Sequence, residues 1–219
     1  MGTVVIDYGM GNVGSIVNMG RRAGGSFIVS GDPAVIAQAD KLILPGVGSF
    51  DHGMTKLRER GLIPVLNQQV LERKVPILGI CLGVQLFTRR SEEGELPGLG
   101  WIAGDTIRFK RAVEPSTLKV PHMGWNFIEP AKADPLLRDL PPEPRFYFVH
   151  SYHLVCDDAT DVLTWTQHGH RFASAVQRGN IWGTQFHPEK SHKFGLALMK
   201  NFLQLRTANG GGADQLPVT

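Results

Sequence analysis

The first half of the chain alternates short aliphatic runs with helical patterns, and no other feature constrains the fold as much. Thr3 to Asp7 precedes a helical pattern from Asn12 to Ala23; Lys41 to Leu44 precedes Met54 to Arg58 and Leu62 to Arg73; Val75 to Ile80 precedes Leu82 to Arg89. This is the pattern of a parallel sheet wrapped by helices. Val13, Ile16 and Val17 share one helical stripe, as do Leu62, Leu66 and Val70, and both stripes are expected to pack into the core.

The second half changes character. Strand-like pieces fall at Trp101 to Phe109, Asn126 to Ile128, Arg145 to His150, Val162 to Thr166, Phe172 to Gln177 and Ile181 to Phe186, with turn-rich segments between them. Several of these are expected to pair antiparallel and extend the first sheet. A last helix is predicted from Ser191 to Leu205, with Phe194, Leu198, Phe202 and Leu205 facing inward. The expected architecture is one α/β domain over 1–206: a mostly parallel, flavodoxin-like central sheet flanked by helices, with an antiparallel extension. Residues 207–219, with three consecutive glycines and little apolar material, are expected to be a disordered tail.

Composition excludes several function classes. At 219 residues, 42% hydrophobic and 20% charged, the chain is neither a disulfide mini-protein nor a disordered polymer. Lys plus Arg exceed Asp plus Glu by 23 to 20, and the basic residues are scattered pairs such as Arg21 with Arg22, which argues against a nucleic-acid partner. Two cysteines, Cys81 and Cys156, and the absence of a leader-like start point to a reducing, cytoplasmic compartment. No apolar run approaches the roughly 18 residues of a membrane span, so no membrane association is expected.

The strongest local signal is Gly79-Ile80-Cys81-Leu82-Gly83, where an apolar strand gives way to a helix. It reads as a nucleophile elbow with cysteine at its apex. The sharp turn strains the central residue, glycines two positions away on either side remove clashing Cβ atoms, and the helix N-terminus favours a thiolate. A proton shuttle is offered by Gln185-Phe186-His187-Pro188-Glu189: His187 as general base and then acid, Glu189 as its orienting carboxylate. Pro45-Gly46-Val47-Gly48 follows another strand and is expected at the same sheet edge, where the Val47 or Gly48 amide could pair with that of Leu82 as an oxyanion hole. Metal ligation by His187, Glu189 and His192, by His150 with His153, or by His168 with His170 is the competing reading; no metal and no cofactor is expected.

With these segments in place the chain resembles the class I (triad) glutamine amidotransferases over roughly residues 3 to 206. Within them it is similar to the glutaminase subunits of imidazole glycerol phosphate synthase. The resemblance rests on Asp7-Tyr8-Gly9-Met10-Gly11-Asn12, Pro45-Gly46-Val47-Gly48, Gly79-Ile80-Cys81-Leu82-Gly83-Val84-Gln85, Pro121-His122-Met123-Gly124-Trp125-Asn126, Phe148-Val149-His150-Ser151-Tyr152 and Gln185-Phe186-His187-Pro188-Glu189-Lys190-Ser191. It implies hydrolysis of L-glutamine to glutamate and ammonia by Cys81, His187 and Glu189. It implies glutamine binding at Gly48, Gln85, Ser151 and Tyr152, and a partner-facing surface at Asn12 and Trp125. The implied partner is a (β/α)8-barrel cyclase, a separate chain in a heterodimer, which uses the channelled ammonia to make imidazole glycerol phosphate and aminoimidazole carboxamide ribotide in histidine biosynthesis.

Three readings stay beside it. A related glutaminase subunit could supply ammonia to amidate a surface-polysaccharide sugar. A scaffold could keep the fold and bind its partner without turnover, although an intact Cys81, His187 and Glu189 set argues against that. A stand-alone cysteine hydrolase or protease would leave the Pro121 to Asn126 segment unexplained.

Overall fold

A computed structural model describes residues 2–110 and 119–205. The tail expected at 207–219 lies outside these residues. The chain opens with β1 (Thr3–Ile6), α1 (Val13–Arg22), β2 (Phe27–Ser30), α2 (Pro33–Ile36), β3 (Lys41–Gly46), α3 (Phe50–Glu59), α4 (Leu62–Asn67), β4 (Ile77–Cys81) and α5 (Leu82–Gln85). It continues with β5 (Gly104–Arg108), β6 (His122–Phe127), β7 (Glu129–Pro130), β8 (Arg145–His150), β9 (Tyr152–Cys156), β10 (Val162–His168), β11 (His170–Arg178), β12 (Ile181–Thr184) and α6 (His192–Gln204).

Local chemistry explains the element ends. Asn12 caps α1 by accepting from the Ser15 amide at 3.1 Å, and Arg21 and Arg22 sit in its last turn, where the helix dipole favours cations. Asp32 caps α2 ahead of Pro33, whose missing N–H costs nothing at a helix start. The helical pattern expected from Leu62 to Arg73 divides into α4 and a five-residue π-helical continuation, Gln68–Glu72.

Five strands run parallel in the order β2-β1-β3-β4-β12, and β11, β10 and β7 continue the sheet antiparallel. β9 bridges β11 to β5, and β6 with β8 forms a separate two-stranded sheet. The expected mostly parallel sheet with an antiparallel extension is therefore what the chain forms. The order matches the flavodoxin-like arrangement, with β12 as the fifth parallel strand and a switch point between β1 and β3. Side chains alternate between two cores. Val4, Ile6, Leu42, Leu44 and Ile77 pack with Leu62, Leu66 and Val70 on one face, while Val5, Ile43, Leu78 and Ile80 pack with Ile16, Val17, Phe194, Leu198 and Phe202 on the other. Burial on both faces is why these strands read as continuous apolar runs.

Three expectations change. The helix expected from Leu82 to Arg89 ends at Gln85, where the Thr88 hydroxyl donates to the Gln85 carbonyl at 2.7 Å and competes with helix continuation. The strand expected at Asn126 to Ile128 begins at His122. Finally, β2 and β9 are strands that the sequence pattern did not announce.

Candidate active site

Cys81 is the last residue of β4 and the N-cap of α5, with φ 55°. A non-glycine residue in this region is strained, and the flanking glycines make the turn possible. A Cβ on Gly79 would lie 2.6 Å from the Phe87 ring, and one on Gly83 would collide with the Leu44 carbonyl oxygen. The neighbouring β3 runs in register, with Gly46 opposite Cys81, so the Pro45 to Gly48 loop leaves the sheet beside the sulfur. Gly48 has φ +111°, a conformation that a side chain would disfavour, and Val47 is 46% exposed. The buried Tyr8 hydroxyl donates to the Pro45 carbonyl at 2.7 Å and pins the start of this loop. Burial, and then the charge of Cys81, push that phenol well above its ordinary range, so it stays a donor.

His187 arrives from β12, parallel to β4 on the other side. Its amide donates to the Tyr147 carbonyl at 2.9 Å, and Ser191 Oγ donates to the His187 carbonyl at 2.6 Å while accepting from the Tyr147 amide at 3.0 Å. These bonds fix the backbone of the His-Pro-Glu turn. The ring Nδ1 meets Glu189 Oε1 at 2.7 Å with both side chains almost fully buried. Nδ1 therefore keeps its proton and donates a hydrogen bond to the carboxylate. Nε2 is buried and closes no hydrogen bond within the described residues. Burial opposes the charged ring, but the Cys81 sulfur and the Glu189 carboxylate outweigh it and bring His187 up to about 9. Catalytic hydrogen bonds in ligand-free sites are commonly open until substrate binds.

Gln85 is buried one helical turn after Cys81; its Nε2 donates to the Tyr152 carbonyl at 3.2 Å and to Gln185 Oε1 at 2.9 Å. Gln185 Nε2 in turn lies 3.9 Å from Cys81 Sγ. Ser151 joins β8 to β9 ahead of Tyr152, and its carbonyl accepts from the Phe109 amide at 3.0 Å. The fold thus brings Gly48, Gln85 and Tyr152 to the strand ends that carry Cys81 and His187. Gln185 opens the His-Pro-Glu segment without a role of its own in the sequence, because its burial beside the sulfur arises only from tertiary convergence.

Asn12 is exposed and caps α1. Trp125, 44% exposed on β6, stacks on the His192 ring at 5.5 Å. Met123 at 62% and Phe127 at 52% share its strand face, an exposed apolar row that the sequence pattern alone did not single out. Period-two alternation with the buried His122 was the available signal.

The remaining histidines follow a separate plan. Because a carbonyl only accepts, His150 Nδ1 donates to the Tyr152 carbonyl at 2.7 Å, leaving Nε2 to accept from His122 Nδ1 at 2.9 Å. His122 Nε2 then accepts from Asn126 Nδ2 at 3.1 Å. His153 pairs with His170 at 3.2 Å, and His168 stacks on His122 at 4.0 Å. His192 turns to Trp125 instead of joining His187 and Glu189. Among the described residues no three His, Cys, Asp or Glu side chains are placed to hold a metal ion.

Burial pushes His122 down to about 3 and His153 down to about 4, and drives His150 well below its usual range. His168 beside His122, and His170 beside His153, add repulsion; Glu92 opposes it at His153. Folded values below the unfolded one of about 6.5 mean stability present above that pH and lost as pH falls, by about 1.4 kcal/mol per pH unit for each ring. His187 has the opposite sign: its contribution is full below about 6.5 and lost as pH rises through about 9. The melting temperature is expected to drop already between about pH 6.5 and 5, before carboxylates titrate. A flat profile there would contradict the neutral histidine chain.

The family profile described as glutamine amidotransferase class-I matches residues 4–205. The chain belongs to that family. It is 53% identical over 200 residues to imidazole glycerol phosphate synthase subunit HisH 2 of Methanococcus maripaludis, covering 91% of this chain and 98% of that protein. It is 52% identical over 202 residues to the subunit HisH 2 of Pseudomonas aeruginosa, with 92% and 98% covered. The subunit HisH of Salinibacter ruber is 47% identical over 213 residues, with 96% and 97% covered. Among solved structures, PurLQS from Thermotoga maritima superposes with a TM-score of 0.64 at 19% identity, covering 92% of this chain and 96% of that one. A glutamine amidotransferase from Thermotoga maritima gives 0.59 at 18% identity, with 85% and 75% covered. These two likenesses show that the family's fold is shared.

Proposed function

We infer that the chain is the glutaminase subunit of imidazole glycerol phosphate synthase, hydrolysing L-glutamine to glutamate and ammonia for histidine biosynthesis. In this reading the Cys81 thiolate attacks the side-chain amide carbon, and the His187 imidazolium gives its proton to the nitrogen as the carbon–nitrogen bond breaks. Ammonia departs and a γ-glutamyl thioester remains. His187, now neutral, takes a proton from water, which attacks the thioester and releases glutamate while the sulfur leaves. Glu189 holds the ring's tautomer and offsets its charge. The amides of Leu82 and of Val47 or Gly48 receive the oxyanion, and Gly48, Gln85, Ser151 and Tyr152 hold the substrate. The observation that carries these roles is the buried His187–Glu189 pair at 2.7 Å beside an elbow cysteine with φ 55°.

The relatives are named as subunits, which supports a complex. The proposed partner is a separate (β/α)8-barrel cyclase, docked at the exposed Met123, Trp125 and Phe127 row, with the exposed Asn12 as a further proposed contact. Docking suits the chemistry, because ammonia released into neutral water becomes ammonium and loses its nucleophilic lone pair. Among the described residues no helix is long and apolar enough to cross a membrane, and a cytoplasmic location is proposed. The relatives' names favour the histidine-pathway acceptor over a polysaccharide sugar or a scaffold role. Co-purification with the barrel protein, followed by identification of the aminated product, tests the assignment; imidazole glycerol phosphate is expected, and an amidated sugar would contradict it.

A further inference from the structure

We propose that Gln185 is a hydrogen-bond donor to the Cys81 sulfur, held in place through Gln85 by the strand that carries Tyr152. The inference rests on reading Cys81 as the nucleophile. Gln185 follows β12 and is fully buried, with its amide donating to the Ser174 carbonyl at 2.8 Å. A buried primary amide needs partners for both ends, and here its partners fix which way it points. The Tyr152 carbonyl can only accept, so the Gln85 nitrogen must face it at 3.2 Å. The same nitrogen lies 2.9 Å from the Gln185 side chain, which must therefore present its oxygen. That leaves the Gln185 nitrogen directed at Cys81 Sγ, 3.9 Å away. Turning either amide over would set donor against donor or acceptor against acceptor, so the polarity of the chain originates in a backbone carbonyl.

His187 alternates between charged and neutral during turnover, whereas an amide N–H is a donor throughout. Gln185 therefore supports the thiolate when it forms and again when the thioester breaks and the electron pair returns to sulfur. The sulfur also lies 4.0 Å from the Val149 carbonyl, which can accept from the thiol but offers nothing to the thiolate.

The test is iodoacetamide labelling of the full chain across about pH 5 to about pH 10, reading the Cys81 and Cys156 peptides separately. Cys156 is an internal control, since burial and then Asp161, Asp157 and Asp158 push that thiol up to about 12. In Gln185→Met the midpoint of Cys81 labelling is expected to rise by about one pH unit, the lower end of what a hydrogen bond to a charged group supports. In Gln185→Glu, which keeps the shape and the acceptor for Gln85, it should rise further, because a carboxylate beside the sulfur opposes its charge. A purely structural role would not order the variants in this way. If Gln185→Met fails to fold, Gln185→Glu carries the test. An unmoved Cys81 curve in a folded variant overturns the inference while leaving the nucleophile in place. Wild-type labelling of Cys156 ahead of Cys81 overturns both.

Discussion

Cys81→Ala is expected to lower glutamine-dependent product formation by the complex by at least about 10⁴-fold while leaving ammonia-dependent formation intact. In the proposed mechanism the thiol forms the covalent bond to the glutamyl group, and without it the amide has no nucleophile at the elbow. The proposed partner's chemistry needs ammonia and not sulfur, so ammonium salts at alkaline pH should bypass the lesion. His187→Ala should behave alike, because the leaving nitrogen then lacks its proton. Glu189→Gln should lose about one to two orders of magnitude less, since it removes an orienting charge 2.7 Å from Nδ1 and leaves the proton carrier itself. Loss of ammonia-dependent activity by an intact Cys81→Ala complex would show that the division of labour is wrong.

Partner binding is expected to raise glutamate release by about 10²- to 10³-fold, the effect of gaining one oxyanion donor. The feature behind this is the Pro45 to Gly48 loop. Tyr8 pins its first carbonyl, while Gly48 at φ +111° and the half-exposed Val47 leave the far end able to rotate a peptide. An amide turned away from the substrate carbonyl offers no stabilisation, and a partner that binds only the turned-in state shifts the population toward it. Glutamate release should be measured for the free chain, the complex, and the complex with the synthase's own substrate. Equal rates in all three would contradict gating without touching the glutaminase assignment.

Much of this site is legible in the sequence because its local geometry demands particular residues. Gly79 and Gly83 are needed where Phe87 and Leu44 crowd the elbow, and Glu189 lies within reach of His187 two residues away. The central strands are legible for a similar reason, since Val4, Val5, Leu42, Ile43, Leu78 and Ile80 are buried whichever face they point to. What escaped the sequence depends on distant contacts. β9 is separated from β8 by Ser151 alone, with no turn signal, and its polar start reflects the site it borders. β2 is a four-residue edge strand with Ile28 and Val29 exposed, so burial imposes little pattern on it. Met123 and Phe127 look like core residues until β6 is seen to face outward. Gln185 meets Cys81 from 104 positions away, and nothing local marks that meeting.

Cys81 is expected to take the glutamyl group from glutamine. Acid quenching of the complex during turnover, followed by peptide mapping, tests it most directly. A γ-glutamyl thioester is expected on the Cys81 peptide, absent from Cys156 and lost in Cys81→Ala together with glutamate release. A glutamyl group on Cys156, or undiminished glutamate release by Cys81→Ala, would contradict the account.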